Sequence, residues 1–269
     1  MAIYINRIFF VKNTKGAIIN ALYSINWGHR VVGLTSPTEN SLVKLAYEGA
    51  LRLIGGKVSK KDALPIEVVK DVVDKFKLSP GNLLHMRTIV VILLGFCGGF
   101  RINELLSIKL GDMTFLPDQL KVFLDVSKCD QHRQGNTVVI ARTGSRYCPV
   151  TFVEDFLKRA GLDAGKDKEA FLIPRLHVRR KSHRASKSLG VTDDTVRQDF
   201  KTIIEPHTKD GSNYSLHSLR SGGASRAANQ GINDRLIAKQ GRWSTEKGKN
   251  GYIKDSNEAR KSVTLALGL

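Results

Sequence analysis

The chain has 269 residues, enough for one large domain or two modest ones with a sizeable core. Its 43 Lys+Arg against 25 Asp+Glu give a formal net charge of +18, which repels like chains and attracts polyanions. A nucleic-acid partner is the economical explanation, although basic ribosomal and membrane-surface proteins share the signature. Three scattered cysteines, Cys97, Cys129 and Cys148, with no C-x-x-C pair, exclude a disulfide framework and argue against zinc. The start MAIYINRIFFVKN lacks the charged beginning, long apolar core and cleavage site of a signal peptide. The strongest apolar run, residues 89–96, is too short to span a bilayer. The expectation is a soluble, non-secreted protein, nuclear in a eukaryote and otherwise cytoplasmic.

In chain order, Ile18, Leu22, Ile25 and Val32 fall on one face of a helix that stops at Gly33. A second helix over 41–54 carries Leu42, Leu45 and Leu53 and ends at Gly55-Gly56. The stretch GGKVSKKDALP, rich in glycine and lysine, is the best linker candidate. Pro65 then opens a helix with Ile66, Val69, Val73 and Phe76 on one side. Residues 83–97 read as a helix apolar nearly all round, the buried centre of the larger domain. A short helix containing Arg101, Asn103 and Glu104 follows, and then LKVFLDVSK and NTVVIAR, two β-branched runs joined as a hairpin by CDQHRQG. Further helices are predicted over 150–160, 193–204, 215–229, 232–240 and 256–267. The fold class is therefore mainly α with a small antiparallel β-sheet (α+β).

The run PRLHVRRKSHRASKS holds six Lys/Arg and no acid. It reads as a DNA-backbone contact in preference to a nuclear import signal or a solvated loop. Arg179, Arg180, Lys181 and Arg184 are its candidate phosphate contacts.

Breaking a phosphodiester without a metal requires charge neutralisation on the non-bridging oxygens, an aimed nucleophile and a proton for the leaving 5′ oxygen. Arginine suits the first task because its planar fork binds two oxygens and stays charged. The last third of the chain supplies such groups in close order: SLHSLRSGG, then GRWS, then YIKD. His217 and Arg220 are three apart on one helix, Ser215 is a plausible N-cap, and Gly222-Gly223 leave room for a close approach. Singly, each residue has a blander reading: a surface arginine, a packed tryptophan, a half-buried tyrosine. Joint order and flanking wording lift them.

The stretch resembles the second catalytic box of the tyrosine recombinases (phage integrase type): His-x-x-Arg, then Gly-(His or Trp), then a nucleophilic Tyr. GGFRINELLSIKLGD resembles the first box, with Arg101 and its frequent partner Glu104. The family's hairpin lysine matches Lys128, with Lys121 its rival nearby. The wording SKCDQHRQG, HSLRSGGAS and GRWSTEKGKNGYIKD is closest to recombinases of DIRS-like mobile elements. The resemblance implies that Arg101 and Arg220 clamp the scissile phosphate and that His217 and Trp243 hydrogen-bond to it. It implies that Lys128 protonates the leaving oxygen and that Tyr252 forms a 3′-phosphotyrosyl bond. No metal or nucleotide cofactor is implied, and the partner is double-stranded DNA, with self-association on DNA through the C-terminal helix. That helix could equally cap its own domain.

The implied organisation is a partial helical core-binding domain over 1–56, a linker over 57–64 and a catalytic domain over 65–269. About 60 residues before the linker are few for a four-helix core-binding unit, and AIYINRIFFV reads as the remnant of a missing helix. Two rival functions stay open: a DNA-binding protein that no longer cuts, and relaxation of DNA in the manner of a type IB topoisomerase.

Overall fold

Local capping explains how the first helices begin and end. In the computed structural model, which describes residues 1–55, 60–78, 82–125, 135–179 and 182–267, α1 spans Ala2–Lys12 and stops where Asn13 turns left-handed at φ 46°. The predicted remnant is thus a helix in its own right. Helix α2 (Lys15–Val31) starts where Thr14 Oγ1 accepts the Ala17 N–H, and α3 (Ser41–Ile54) where Asn40 Oδ1 accepts the Leu42 N–H. Ile5, Ile18, Val43 and Ala50 form a small core, with Ile8, Phe9, Leu22, Tyr47 and Ile54 packed around it. Leu42, Leu45 and Leu53, the residues that marked α3 in the sequence, are 68%, 66% and 75% exposed. The stripe that packs is Val43, Tyr47, Ala50 and Ile54, on another side of the same helix. These three helices make one compact unit, Met1–Lys60; the rest of the chain, Lys61–Leu269, makes a second.

In the second unit, residues 61–64 lead from its surface into its core, with Asp62 N–H donating to Asn213 O, Leu64 N–H to Ser218 O and the Leu64 side chain buried. Helix α4 covers Ile66–Leu78, and α5 (Leu83–Cys97) begins where Asn82 Oδ1 accepts the His85 N–H. Every residue from 86 to 95 is buried, as the all-round apolar pattern required, and α5 packs against α4 and four later helices. Each fully buried Ile or Leu stabilises by roughly 1.5–3 kcal/mol relative to exposure, which makes α5 the anchor of the domain. The short helix α6 (Ile102–Ser107) begins one residue after Arg101, which is its N-cap and not part of the helix.

Strands β1 (Met113–Phe115), β2 (Gln119–Leu124) and β3 (Asn136–Ala141) form an antiparallel sheet in that order, with Val122 opposite Val138 and Leu120 opposite Ile140. Alternate residues Leu120, Val122, Leu124, Val138 and Ile140 turn into the core. Helix α7 (Pro149–Ala160) follows and ends on left-handed Gly161.

Most of the basic run lies in strands: β4 (Pro174–Arg179) and β5 (Ser182–Gly190) pair as a ribbon, with a register shift between Pro174 and Leu176. Helix α8 (Asp193–Ile204) is capped by Thr192. It is tied to α5 by a buried pair: Arg87 Nη2 lies 2.5 Å from Asp199 Oδ2, while Arg87 Nη1 donates to Pro174 O at 3.0 Å. Helices α9 (Leu216–Asn229), α10 (Asp234–Gly241), α11 (Glu246–Asn250) and α12 (Asn257–Ala266) complete the unit. Helix α5 packs against α7, α8 and α9. Glycine is needed on α9, since a Cβ on Gly222 or Gly223 would lie 2.2 Å from Leu64 O or 1.9 Å from Phe96 O. Among the described residues, no helix is long and apolar enough to cross a membrane.

Candidate active site

The close approach at Gly222 and Gly223 sets α9 against the end of α5, so that Arg220 points beneath the turn leading to α6. Arg220 is 1% exposed. Its Nη1 donates to Gly99 O and its Nη2 to Gly241 O, joining the turn after α5 to the end of α10. The guanidinium carbon lies 4.1 Å from the centroid of the Trp243 ring and 5.2 Å from that of Tyr252, and the two rings are 5.3 Å apart at 50°. A cation lying against two neighbouring aromatic rings is held by their quadrupoles as well as by its hydrogen bonds. Burial, then the charges of Arg101 and Arg242, lower the Arg220 pKa to about 10, so it remains a cation at neutral pH.

Arg101 caps α6 while Glu104, three residues on, turns back to it. Glu104 Oε2 accepts the Arg101 main-chain N–H at 2.9 Å and Oε1 accepts Arg101 Nη1 at 2.6 Å. Arg242 donates to the same carboxylate, Nη2 to Oε2 at 2.7 Å. Burial pushes the Glu104 carboxyl up, but Arg242, the Arg101 N–H and the hydrogen bonds from both arginines outweigh it and hold it below the ordinary carboxylate range. The result is a half-buried Arg101 with a fixed guanidinium at the rim and a buried Arg220 at the floor.

His217 and Arg220 share a helix but differ in exposure: His217 faces solvent while Arg220 is enclosed. Partial desolvation of the ring by its neighbours first, then the charges of Arg197, Arg220 and Arg101, lower the His217 pKa from its ordinary 6.5, which favours the neutral form at pH 7. Trp243 is half-buried, and its Nε1, like Arg220 Nε, is buried without a hydrogen-bond partner. Two buried N–H donors left unspent on neighbouring side chains are uncommon in a folded interior and suit a bound acceptor.

Tyr252 follows α11, whose start is fixed by Thr245 Oγ1 accepting the Gly248 N–H at 3.1 Å. Lys249, 3% exposed, pairs with Asp234 at the start of α10, and the Tyr252 N–H donates to Lys249 O at 2.9 Å. A ladder of polar side chains on α9 secures the next residues. Ser221 Oγ donates to Tyr252 O, as does Ser225 Oγ at 3.4 Å, and Ser225 Oγ accepts the Lys254 N–H at 2.8 Å. Asn229 Nδ2 donates to Lys254 O and Asn229 Oδ1 accepts the Ser256 N–H, both at 3.0 Å.

Of the six residues singled out in the sequence, Arg101, His217, Arg220, Trp243 and Tyr252 thus meet in one place. Lys128 lies outside the described residues; Lys121 is exposed on β2. In the basic ribbon, Arg184 is exposed opposite His177 on β5, and Arg179 ends β4 opposite Ser182. Arg180 and Lys181 lie outside the described residues. Helix α12 leaves Leu265 and Leu267 77% and 66% exposed, so these two leucines do not pack onto their own domain.

The sequence reading passed over Arg242 and the Ser221–Ser225–Asn229 ladder. The ladder had a readable signal, polar residues at four-residue intervals in a helix otherwise rich in glycine and alanine. Arg242 had none, because its carboxylate partner is 138 residues away.

A mainly helical domain with a small sheet, gathering two arginines, a histidine and a tryptophan around a tyrosine, has the catalytic-domain fold of the tyrosine recombinases. A lambda integrase(75–356) dimer bound to a COC′ core site matches it with TM-score 0.57 at 13% identity, over 95% of this chain and 79% of that one. XerA recombinase matches with TM-score 0.55 at 13% identity, over 93% and 81%. XerH site-specific recombinase, in a pre-cleavage complex with difH substrate, matches with TM-score 0.52 at 13% identity, over 94% and 71%. In sequence, an integrase/recombinase XerD homologue of Selenomonas ruminantium is 29% identical over 249 residues, 91% of this chain and 69% of the relative. The chain belongs to the phage integrase family, whose profile matches residues 64–258.

Proposed function

We propose that this chain cleaves and rejoins double-stranded DNA at specific sites through a 3′-phosphotyrosyl intermediate, in the integration or excision of a mobile element. The observation that carries this reading is the clustering of Tyr252 and Trp243 against the buried Arg220 cation, with Trp243 Nε1 and Arg220 Nε both unspent. Tyr252 Oη attacks the phosphorus, forming the tyrosyl–phosphate bond as the bond to the 5′ oxygen breaks. Arg101 and Arg220 neutralise the charge that grows on the non-bridging oxygens, and His217 and Trp243 add hydrogen bonds to them. The indole N–H donates but cannot act as a base, so Trp243 serves in binding alone. Lys128 supplies the proton to the leaving 5′ oxygen. Because the tyrosyl ester conserves the bond energy, a 5′ hydroxyl of the partner strand completes the exchange without metal or nucleotide.

The three-helix unit grips the duplex as a partial core-binding domain. The β4–β5 ribbon meets phosphates through Arg179, Arg180, Lys181 and Arg184, and each phosphate so neutralised steepens the salt dependence of binding. The exposed leucines of α12 support docking of that helix onto a neighbouring protomer on DNA.

The test is incubation with a nicked duplex carrying the element's termini, followed by denaturing electrophoresis. An SDS-stable protein–DNA adduct is expected from the wild type and none from Tyr252→Phe. No adduct from the wild type overturns the enzyme reading; an adduct that persists in the variant overturns Tyr252 as nucleophile. Arg220→Ala is expected to abolish cleavage and keep most DNA binding, and equal loss of both in a gel-shift titration contradicts its transition-state role.

A further inference from the structure

From the contacts of Arg242 we infer that it is a positioning residue for strand cleavage: it locks the first-box turn to the Trp243 segment and so sets Arg101 and Arg220 at their working distance. The inference rests on the recombinase reading above. Arg242 is 6% exposed, and its side chain is enclosed by groups belonging to the site. Its fork spends Nη2 on Glu104 Oε2 at 2.7 Å and Gly99 O at 2.9 Å, and Nη1 on Gln240 O at 2.8 Å and Gly98 O at 3.2 Å. Each of these acceptors leads to a residue that meets the phosphate. Glu104 holds Arg101 by two hydrogen bonds. Gly99 O is shared with Arg220 Nη1. Gln240 precedes Gly241, whose carbonyl takes Arg220 Nη2, and Arg242 itself is bonded to Trp243. The guanidinium carbon also lies 5.1 Å from the Phe100 ring centroid, which fixes its plane.

Two further features set Arg242 apart from an ordinary structural arginine. It occupies the left-handed region at φ 55°, a conformation that only Asn13 shares among the described non-glycine residues. A branched or bulky residue at this position is uncommon and is kept where the surroundings over-determine it. Its planar fork is also the only kind of side chain that can serve a carboxylate and several carbonyls from one position. A lysine retains the charge and can reach one or two of these acceptors, but it cannot bridge the turn and the carboxylate together.

The test compares full-length wild type, Arg242→Lys, Glu104→Gln and the double variant, each first checked by circular dichroism for native helix content. Single-turnover adduct formation on saturating nicked duplex gives the cleavage rate, and gel shift gives the Kd. Arg242→Lys is expected to cleave about 100-fold more slowly, the loss typical of a displacement near 1 Å at a reacting group, with its Kd unchanged within about threefold. Glu104→Gln is expected to show the same pattern through the same link, and the double variant to be no slower than the slower single one. Four results overturn the inference: an Arg242→Lys rate equal to wild type, a rate loss matched by weaker binding, multiplicative losses in the double variant, or an Arg242→Lys chain that fails to fold while Glu104→Gln cleaves normally. If the wild type itself forms no adduct, the recombinase reading fails and this inference with it; a competent wild type beside an unimpaired Arg242→Lys removes the inference alone.

Discussion

Tyr252 is delivered by its backbone, and the Ser221–Ser225–Asn229 ladder is the part of that delivery most open to mutation. The double variant Ser221→Ala/Asn229→Ala removes three hydrogen bonds: Ser221 Oγ to Tyr252 O, Asn229 Nδ2 to Lys254 O, and Ser256 N–H to Asn229 Oδ1. Ser225 stays, with its 3.4 Å bond to Tyr252 O and its 2.8 Å bond from Lys254 N–H. At about 1 kcal/mol net each, the lost bonds are worth about 3 kcal/mol. If all of that is felt as misaligned nucleophile, cleavage slows by roughly 100-fold, and if half is felt, by roughly tenfold, at 1.4 kcal/mol per decade. The assay is the single-turnover rate of adduct formation at saturating DNA, read beside the Kd. A rate between about tenfold and 100-fold below wild type with unchanged Kd is expected. An unchanged rate, or a loss that follows DNA affinity, refutes the view that α9 aims the tyrosine.

Three further outcomes follow from the same geometry. Gly223→Ala drives a Cβ to 1.9 Å from the main-chain Phe96 O, which cannot swing aside, and is expected to cost about 3 kcal/mol in urea unfolding; a loss under about 1 kcal/mol contradicts the close approach. Because Glu104 is held below its ordinary 4.5, its contribution to stability is present above that value and drains away as pH falls through the depressed one. The melting temperature of Glu104→Gln is therefore expected to lie below wild type at pH 7 and to converge on it in acid, and a constant gap refutes the linkage. His217, depressed below 6.5, favours the neutral form in the folded chain, a contribution complete above 6.5 and lost as pH falls through the lowered value. A phosphate bound beside it adds negative charge, so NMR titration of His217 is expected to move upward on binding nicked duplex, and no movement places the phosphate elsewhere.

The sequence was most legible where short-range pattern and chemistry coincide. The all-round apolar run marked α5, the β-branched runs LKVFLDVSK and NTVVIAR marked the paired strands β2 and β3, and the order Arg101, His217, Arg220, Trp243, Tyr252 singled out residues that the second unit brings together. The β4–β5 ribbon escaped because its exposed strands carry arginine, lysine and serine where a half-buried strand alternates apolar residues. The packed face of α3 escaped for a related reason: leucines announce a helix, but only the fold decides which stripe meets Ile5 and Ile18. Arg242 was invisible because its meaning lies in Glu104 and Gly99, elements that sequence distance separates and only the tertiary structure joins. The same applies to Arg87, whose partner Asp199 sits on α8.

The shared grip on Gly99 has a consequence for the birth of the protein. Gly99 O, Glu104 and Arg101 are made early, yet the side chains that fix them, Arg220 and Arg242, come more than 100 residues later. A chain emerging in order from the ribosome therefore carries Arg101 and the Gly99 carbonyl without these partners until α9 and α10 have been translated and have packed on α5. Tyr252 arrives ten residues after Arg242, once α9 and α10 have been synthesised. On the recombinase reading, the group proposed to attack DNA is thus the last of the set to be made.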